Sequence, residues 1–301
     1  MEVRRRFNQD LCAWINVDAN DHHAIAKVQA EFQISDEMLE YSLDKHERAR
    51  VEYDSMEKTL LVIFNVPHLE KTNNHYETSP MTFMIKDHAM LTIVSQKSDY
   101  VVSMMENILR REPNQSTASL LFHTLFLVAD SYFPLIEEVN SERVRLNTKL
   151  RQKTTNKNLL QLSDLEIGLV YLVSATKQNV TLLEQIKAQS IFPNFSDTEK
   201  EQLEDAAIEA KQAEEMTKLA SEILDQLSST YNYLLNNNLN DTMKILTIWS
   251  LLLTIPTIVT GFFGMNMPLP FEHSEAGWII SLVISVGLSL WMILVLWRRI
   301  K

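Results

Sequence analysis

A single cysteine, Cys12, excludes any disulfide within the chain and fits a reducing compartment for the soluble part. Only five glycines are present, and they form neither a Walker A string nor a Gly-rich phosphate fingerprint, so no nucleotide is implied. Basic residues are in deficit. The 28 Lys and Arg stand against 39 Asp and Glu, and a net charge of −11 argues against nucleic acid, whose phosphates demand clustered cations. Such an acidic surface suits cations instead. The eight histidines, the pair His22-His23 included, lack companions at zinc-site spacing and read as surface residues. Scattered Glu and His form no catalytic constellation, so the chain does not read as an enzyme. The first twenty residues carry Arg4, Arg5 and Arg6 without the apolar stretch and cleavage site of a secretory leader, which keeps the N-terminus inside.

The absence that matters most is local. Ile245 to Met265 is a run of twenty-one residues without a charge, and Trp278 to Trp297 is a run of twenty. Each spans ~30 Å of hydrocarbon at ~1.5 Å per residue. One such run suits a soluble core helix; two in succession point to a membrane protein. Lys244 precedes the first run and Arg298, Arg299 and Lys301 follow the second, whereas the connecting residues 266–277 hold Glu272 and Glu275 and no Lys or Arg. By the positive-inside rule both termini are cytoplasmic and the loop 266–277 is external, in a multi-pass protein of the cell membrane, inner or plasma.

Upstream, Leu11 to Val17 and Thr59 to Val66 read as strands, and Thr82 to Ile85 and Met90 to Val94 flank Lys86-Asp87-His88-Ala89 like a hairpin. Helical patterns cover His23 to Phe32 and Asp36 to Leu43. This predicts a cytosolic α/β domain over 1–112, in an α+β membrane protein. Residues 113–242 read as a helical hairpin and stalk. Ser116 to Gln152 forms one helix that Pro134 must kink or interrupt, and Leu159 to Ser190 forms a second. Ser196 with Glu199 makes a capping box that starts a third. No Gly or Pro interrupts this third pattern before Pro256, so a stalk helix of roughly sixty residues, about 90 Å, runs on into the first span. Residues 243–301 are then a two-helix transmembrane domain.

Along the stalk, Leu203, Ala206, Ala210, Ala213, Thr217, Ala220, Leu224, Leu227, Tyr231 and Leu234 recur at steps of three or four. The seam suits self-association, or packing of an ordinary amphipathic helix on its own domain. The same face continues through Asn240, Met243, Thr247, Ser250, Thr254, Thr257 and Gly261. A hydroxylated stripe facing lipid is costly, so it faces a pore, faces other helices, or bonds back to its own backbone. The second span has no comparable stripe and reads as lipid-facing support.

The first span ends in Gly261-Phe262-Phe263-Gly264-Met265-Asn266. The string Gly264-Met265-Asn266 between two terminal spans, behind a large acidic domain, resembles the CorA family of magnesium channels. The resemblance extends through Asn240-Asp241-Thr242-Met243-Lys244-Ile245-Leu246-Thr247, and weakly to Trp14-Ile15-Asn16-Val17 and Glu47-Arg48-Ala49-Arg50-Val51-Glu52. It implies a symmetric, funnel-like homopentamer whose first span lines an axial pore. Gly264, Met265 and Asn266 would form the selectivity filter, and Asn240, Met243, Leu246, Thr254 and Thr257 would line the pore, with Met243 and Leu246 as hydrophobic constrictions. A ring of neutral Asn oxygens suits Mg²⁺, which dehydrates reluctantly. Gly264 serves close backbone approach, or is a plain helix C-cap. The resemblance further implies passive import of Mg²⁺, with Co²⁺ and Ni²⁺, and Mg²⁺ acting also as a regulatory ligand that closes the pore. Asp205 matches one acid of that regulatory site. Ser229 stands where the family has an acid in the helix neck, and Met267 where an aromatic is usual. A transporter of Zn²⁺ or another divalent ion from the same superfamily is the alternative, and a membrane-anchored cytosolic scaffold is the alternative from another class.

Overall fold

A computed structural model describes residues 2–265 and 277–300. Compact packing divides the chain into two units, Met1–Leu227 and Ser228–Lys301.

The first unit holds a six-stranded sheet of β1 (Val3–Phe7), β2 (Cys12–Asp18), β3 (Arg50–Asp54), β4 (Thr59–Pro67), β5 (Thr78–Lys86) and β6 (Ala89–Val94). Their spatial order is β1-β2-β6-β5-β4-β3. Only β2 and β6 run parallel, with Trp14 opposite Met90 and Asn16 opposite Thr92. The alternation of strand side chains puts apolar residues on both faces. Ile15, Val17, Leu61, Ile63, Met84, Leu91 and Ile93 form one face, which buries Ile25 and Val28 of α1 (His22–Phe32) and Met38 of α2 (Asp36–Leu43). Trp14, Leu60, Val62, Phe64, Phe83 and Met90 are buried on the other, on which α4 (Thr117–Asp130) and α6 (Asn156–Ala188) pack. Between β6 and α4 runs α3 (Asp99–Arg111).

The four inner strands fall where the sequence places them, and the turn after β5 carries Asp87 at φ 53°, a left-handed residue of the kind that short hairpins use. The sequence reading misses β1 and β3. Both are edge strands, and their sequences, Val-Arg-Arg-Arg-Phe and Arg-Val-Glu-Tyr-Asp, carry the charges that keep sheet edges from pairing with other chains. The helix expected over Ser116 to Gln152 is two helices, α4 and α5 (Tyr132–Gln152), broken at Ser131 rather than at Pro134. Pro134 has no N–H for the Asp130 carbonyl, so the chain breaks before it, and the proline takes the first turn of the new helix.

At the upper end of β4 the ladder runs out, because β3 starts opposite Ile63. A side chain takes over. Asn179 of α6 is 1% exposed; its Oδ1 accepts from the Asn65 N–H at 2.9 Å and its Nδ2 donates to the Asn65 carbonyl at 2.8 Å. The Tyr132 hydroxyl donates to the same carbonyl at 2.9 Å. One carboxamide thus ties the helical layer to the sheet with the hydrogen bonds of a missing strand.

The third long helix, α7, spans Asp197–Phe263, 67 residues. Its capping box is formed: Ser196 N–H donates to Glu199 Oε2 at 2.7 Å, and Glu199 N–H donates to Ser196 Oγ at 3.3 Å. The seam from Leu203 to Leu224 is buried within its own unit, Leu203, Ala206, Ala210, Ala213, Thr217, Ala220 and Leu224 included. Thr217 Oγ1 lies 3.0 Å from Thr176 Oγ1 of α6. This corrects the self-association reading for that stretch, since the small residues let α7 approach α6 of the same copy. In the second unit α7 continues through Pro256 without a break in the helix and is followed by α8 (Gly277–Ile300).

Replacing Asn179 by Leu leaves the Asn65 N–H without a partner and its carbonyl with the Tyr132 hydroxyl alone. Unfolding free energy should fall by about 2 kcal/mol, seen as a lower melting temperature by circular dichroism in detergent; an unchanged melting temperature contradicts the strand-replacement role.

Candidate functional site

Four described helical stretches are long and apolar enough to cross a membrane, and burial separates them. The apolar windows within Thr117–Gln152 and Asn156–Ala188 are 67% and 39% buried in the chain, whereas those of α7 and α8 are only 6% buried. The unburied pair holds the sequence-predicted site.

On α7, Asn240, Met243, Leu246, Thr247, Ser250, Thr254, Thr257 and Gly261 are all exposed. At ~100° per residue, Met243, Thr247, Ser250, Thr254, Thr257 and Gly261 fall within about 80° of arc, with Asn240 and Leu246 on its two edges. The sheltered positions are Ile248, Leu252, Ile255, Pro256 and Phe263, half-buried, and Val259, buried. Their mean direction lies about 170° away from the stripe. The hydroxyl face and the face packed within the chain are therefore opposite.

Each hydroxyl of the stripe has the backbone partner that one of the three readings required. Thr247 donates to the Met243 carbonyl at 2.8 Å, Ser250 to Leu246 at 2.9 Å, Thr254 to Ser250 at 2.7 Å and Thr257 to Leu253 at 2.9 Å. Donating inward leaves the oxygen lone pairs as acceptors facing out. The stripe is an array of acceptors without net charge.

The second span differs from its expected description. Ser281, Ser285 and Ser289 recur at i, i+4 and i+8 on α8, and Ser285 is buried while Ser281 and Ser289 are half-buried. This is a small-residue stripe of the kind that lets membrane helices approach, and it is turned into the chain rather than out of it. Its signal in the sequence is the four-residue spacing of Ser281, Ser285 and Ser289.

At the end of α7, Gly264 donates its N–H to the Thr260 carbonyl at 2.9 Å, and no glycine has a positive φ among the described residues. The left-handed C-cap expectation is thus replaced by a steric one: a Cβ on Gly264 would stand 3.1 Å from the Thr260 oxygen. A Cβ on Gly261 would meet nothing within 4 Å. Met265 is half exposed, and Asn266 with the loop up to Ala276 lies outside the described residues.

Asp205 is exposed on the first-unit part of α7. No group of three His, Cys, Asp or Glu able to hold a metal occurs among the described residues, so Asp205 belongs to no such group there. Nearby, burial, followed by the charge of Asp130, raises the pKa of Glu209. The histidines are not all on the surface. His68 is 7% exposed, its Nδ1 3.7 Å from Glu77 Oε2, and its pKa is lowered by burial and then by Lys97.

The family model described as CorA-like Mg2+ transporter protein matches residues 10–299. The chain belongs to the CorA family. The cobalt/magnesium transport protein CorA of Methanocaldococcus jannaschii is 26% identical over 273 residues, covering 89% of this chain and 84% of that CorA. That of Thermotoga maritima is 24% identical over 268 residues, covering 84% and 72%. The complete structure of the CorA magnesium transporter from Methanocaldococcus jannaschii superposes with a TM-score of 0.77 at 25% identity, over 95% of this chain and 90% of that one. The α/β unit and the long helix are thus CorA architecture, and divalent-cation transport is the function class to which the family belongs.

If the hydroxyl face is turned to an open pore, Gly261→Ala should leave the melting temperature unharmed, because its Cβ meets nothing within 4 Å and alanine favours the helix by about 1 kcal/mol. Gly264→Ala should lower thermal stability. Melting of both variants in one detergent decides it, and a destabilised Gly261→Ala contradicts the assignment.

Proposed function

We propose that the chain is a passive, membrane-potential-driven channel that imports Mg²⁺, and with it Co²⁺ and Ni²⁺. In this reading α7 lines the axial pore of a homopentamer through its hydroxyl face and α8 surrounds it, with both termini cytoplasmic and the loop 266–277 outside. The observation that carries the reading is the acceptor stripe, exposed and opposite to the sheltered face of α7. Mg²⁺ gives up its water reluctantly, and the waters of its hydration shell present O–H donors outward. A wall of neutral oxygen acceptors receives those donors without trapping the ion as carboxylates do.

The ion's own energy suffices. A divalent cation moving inward gains ~4.6 kcal/mol per 100 mV of inside-negative potential, at ~2.3 kcal/mol per charge. No nucleotide chemistry has to be coupled to it. Gly264, Met265 and Asn266 act as the filter at the outer end, and Met243 and Leu246, both well exposed on α7, act as constrictions that dewet. Asp205 takes part in the regulatory Mg²⁺ site with ligands from a neighbouring copy, a role that its exposure supports. Mg²⁺ held there favours the closed state, by its higher affinity for that state.

Mg²⁺ uptake into proteoliposomes with an imposed inside-negative potential tests the function directly. Asn266→Ala should slow uptake by about tenfold, the effect of about 1.4 kcal/mol at the barrier. Absence of Mg²⁺ uptake by the unaltered protein overturns the channel reading, and faster Zn²⁺ than Mg²⁺ uptake replaces magnesium with zinc. In the same assay Asp205→Ala should keep its flux at millimolar Mg²⁺ on the cytoplasmic side, where the unaltered protein is inhibited. Inhibition at the same Mg²⁺ concentration in both contradicts the regulatory role.

A further inference from the structure

Against a chain with 39 acids and 28 bases, residues 143–163 hold Arg143, Arg145, Lys149, Arg151, Lys153 and Lys157 and no acid. These residues are the end of α5, the turn, and the start of α6, so the reversal of charge sits on the tip of a helical hairpin. Lys149, Arg151, Lys153 and Lys157 are exposed, and none of them joins a salt bridge among the described residues. An exposed apolar side chain stands among them: Leu160 is 67% exposed, three residues after Lys157. Beside the tip lies a cleft of about 1220 Å³ whose walls include Arg145, Lys149, Lys157 and Leu160 together with the acids Glu142 and Asp164.

The tip has a defined direction within its unit. Thr176 of α6 meets Thr217 of α7, and Lys187 of α6 pairs with Glu204, so α6 runs antiparallel to α7. Moving from Lys187 back toward the tip is moving along α7 toward Leu227. The basic tip therefore occupies the end of the first unit from which the chain continues to its first apolar run. Unpaired cations with a protruding leucine, at that end, match the chemistry of an anionic bilayer surface, which attracts Lys and Arg and admits a shallow apolar anchor.

We propose that the α5–α6 hairpin tip docks on the anionic lipid headgroups of the leaflet next to the first unit. The occupant is a lipid surface rather than an acidic protein, because the charges are spread over both helix ends and the turn and the apolar group protrudes among them. This rests on the reading of α7 and α8 as membrane spans. It adds a lipid-dependent tether on α6, the helix that packs against the buried seam of α7.

The test uses the full chain in lipid nanodiscs, with Gln152→Cys at an exposed position carrying a fluorophore; Cys12 is buried and stays unlabelled. Quenching by headgroup spin-labelled lipid should be at least about threefold stronger in discs containing phosphatidylglycerol than in phosphatidylcholine alone, and should vanish near 1 M salt, where the Debye length is ~3 Å. Lys149→Glu with Arg151→Glu, Lys153→Glu and Lys157→Glu should abolish the difference, and the milder pair Lys153→Gln and Lys157→Gln should reduce it if the charge reversal fails to fold. Equal quenching in the two lipids overturns the proposal. So does a difference that survives charge reversal, or a response to inorganic phosphate in phosphatidylcholine discs equal to that produced by phosphatidylglycerol. Failure of the chain to enter nanodiscs overturns the spanning reading itself, whereas absent Mg²⁺ flux with intact lipid-dependent quenching overturns only the channel reading.

Discussion

A polar group shut away from water must find a partner, and α7 meets this demand in two ways along one continuous helix. In the first unit its small and hydroxyl residues turn inward: Thr217 is buried and shares a hydrogen bond with Thr176 of α6. In the second unit the threonines and serine turn outward, each donating to the carbonyl four residues before it. The same residue types therefore serve as intrachain packing in one half and as an outward acceptor array in the other. What distinguishes the halves is the neighbour. Upstream, α6 covers the seam; downstream, the covered face is Ile248, Leu252, Ile255 and Val259, and the polar face is left open.

That division bears on function. The buried Ala and Thr residues and the contact with α6 hold the first-unit part of α7 within its own unit, and the proposed function would use the continuous helix to pass a displacement there toward Met243 and Leu246. The tie between Asn179 and Asn65 makes the sheet part of the same body, so that α6 cannot move against β4 without losing buried hydrogen bonds. A regulatory ion near Asp205 and a lipid contact at the hairpin tip would both act on this body. Neither requires a ligand inside the single chain.

Much of the fold was legible from pattern. The inner strands β2, β4, β5 and β6 are rich in branched and aromatic residues, and the capping box at Ser196 and Glu199 marks the start of α7 correctly. The edge strands were not legible, because Arg4, Arg5 and Arg6 on β1 and Glu52 and Asp54 on β3 protect an edge and so look like loop. The break at Ser131 was displaced from the expected site since a proline disrupts the bond to the fourth residue before it. The seam from Leu203 to Leu224 could be read as self-association because periodicity reports a covered face and not what covers it. For the site, the stripe from Met243 to Gly261 was visible as spacing, while its relation to the sheltered face needed the packing of the second unit. The basic hairpin tip escaped a reading guided by apolar periodicity, since it is defined by charge alone.

The central claim is that the hydroxyl face of α7 is the conducting face. Cysteine placed singly at Thr254 or Thr257, and for comparison at Trp249 or Leu253 off the stripe, can be modified by a charged hydrophilic thiol reagent, with the buried Cys12 as a silent background. The account predicts that modification at Thr254 and Thr257 blocks Mg²⁺ uptake into proteoliposomes and that the positions off the stripe are unaffected. Block at Trp249 and Leu253 with free uptake after modification at Thr254 and Thr257 would contradict it.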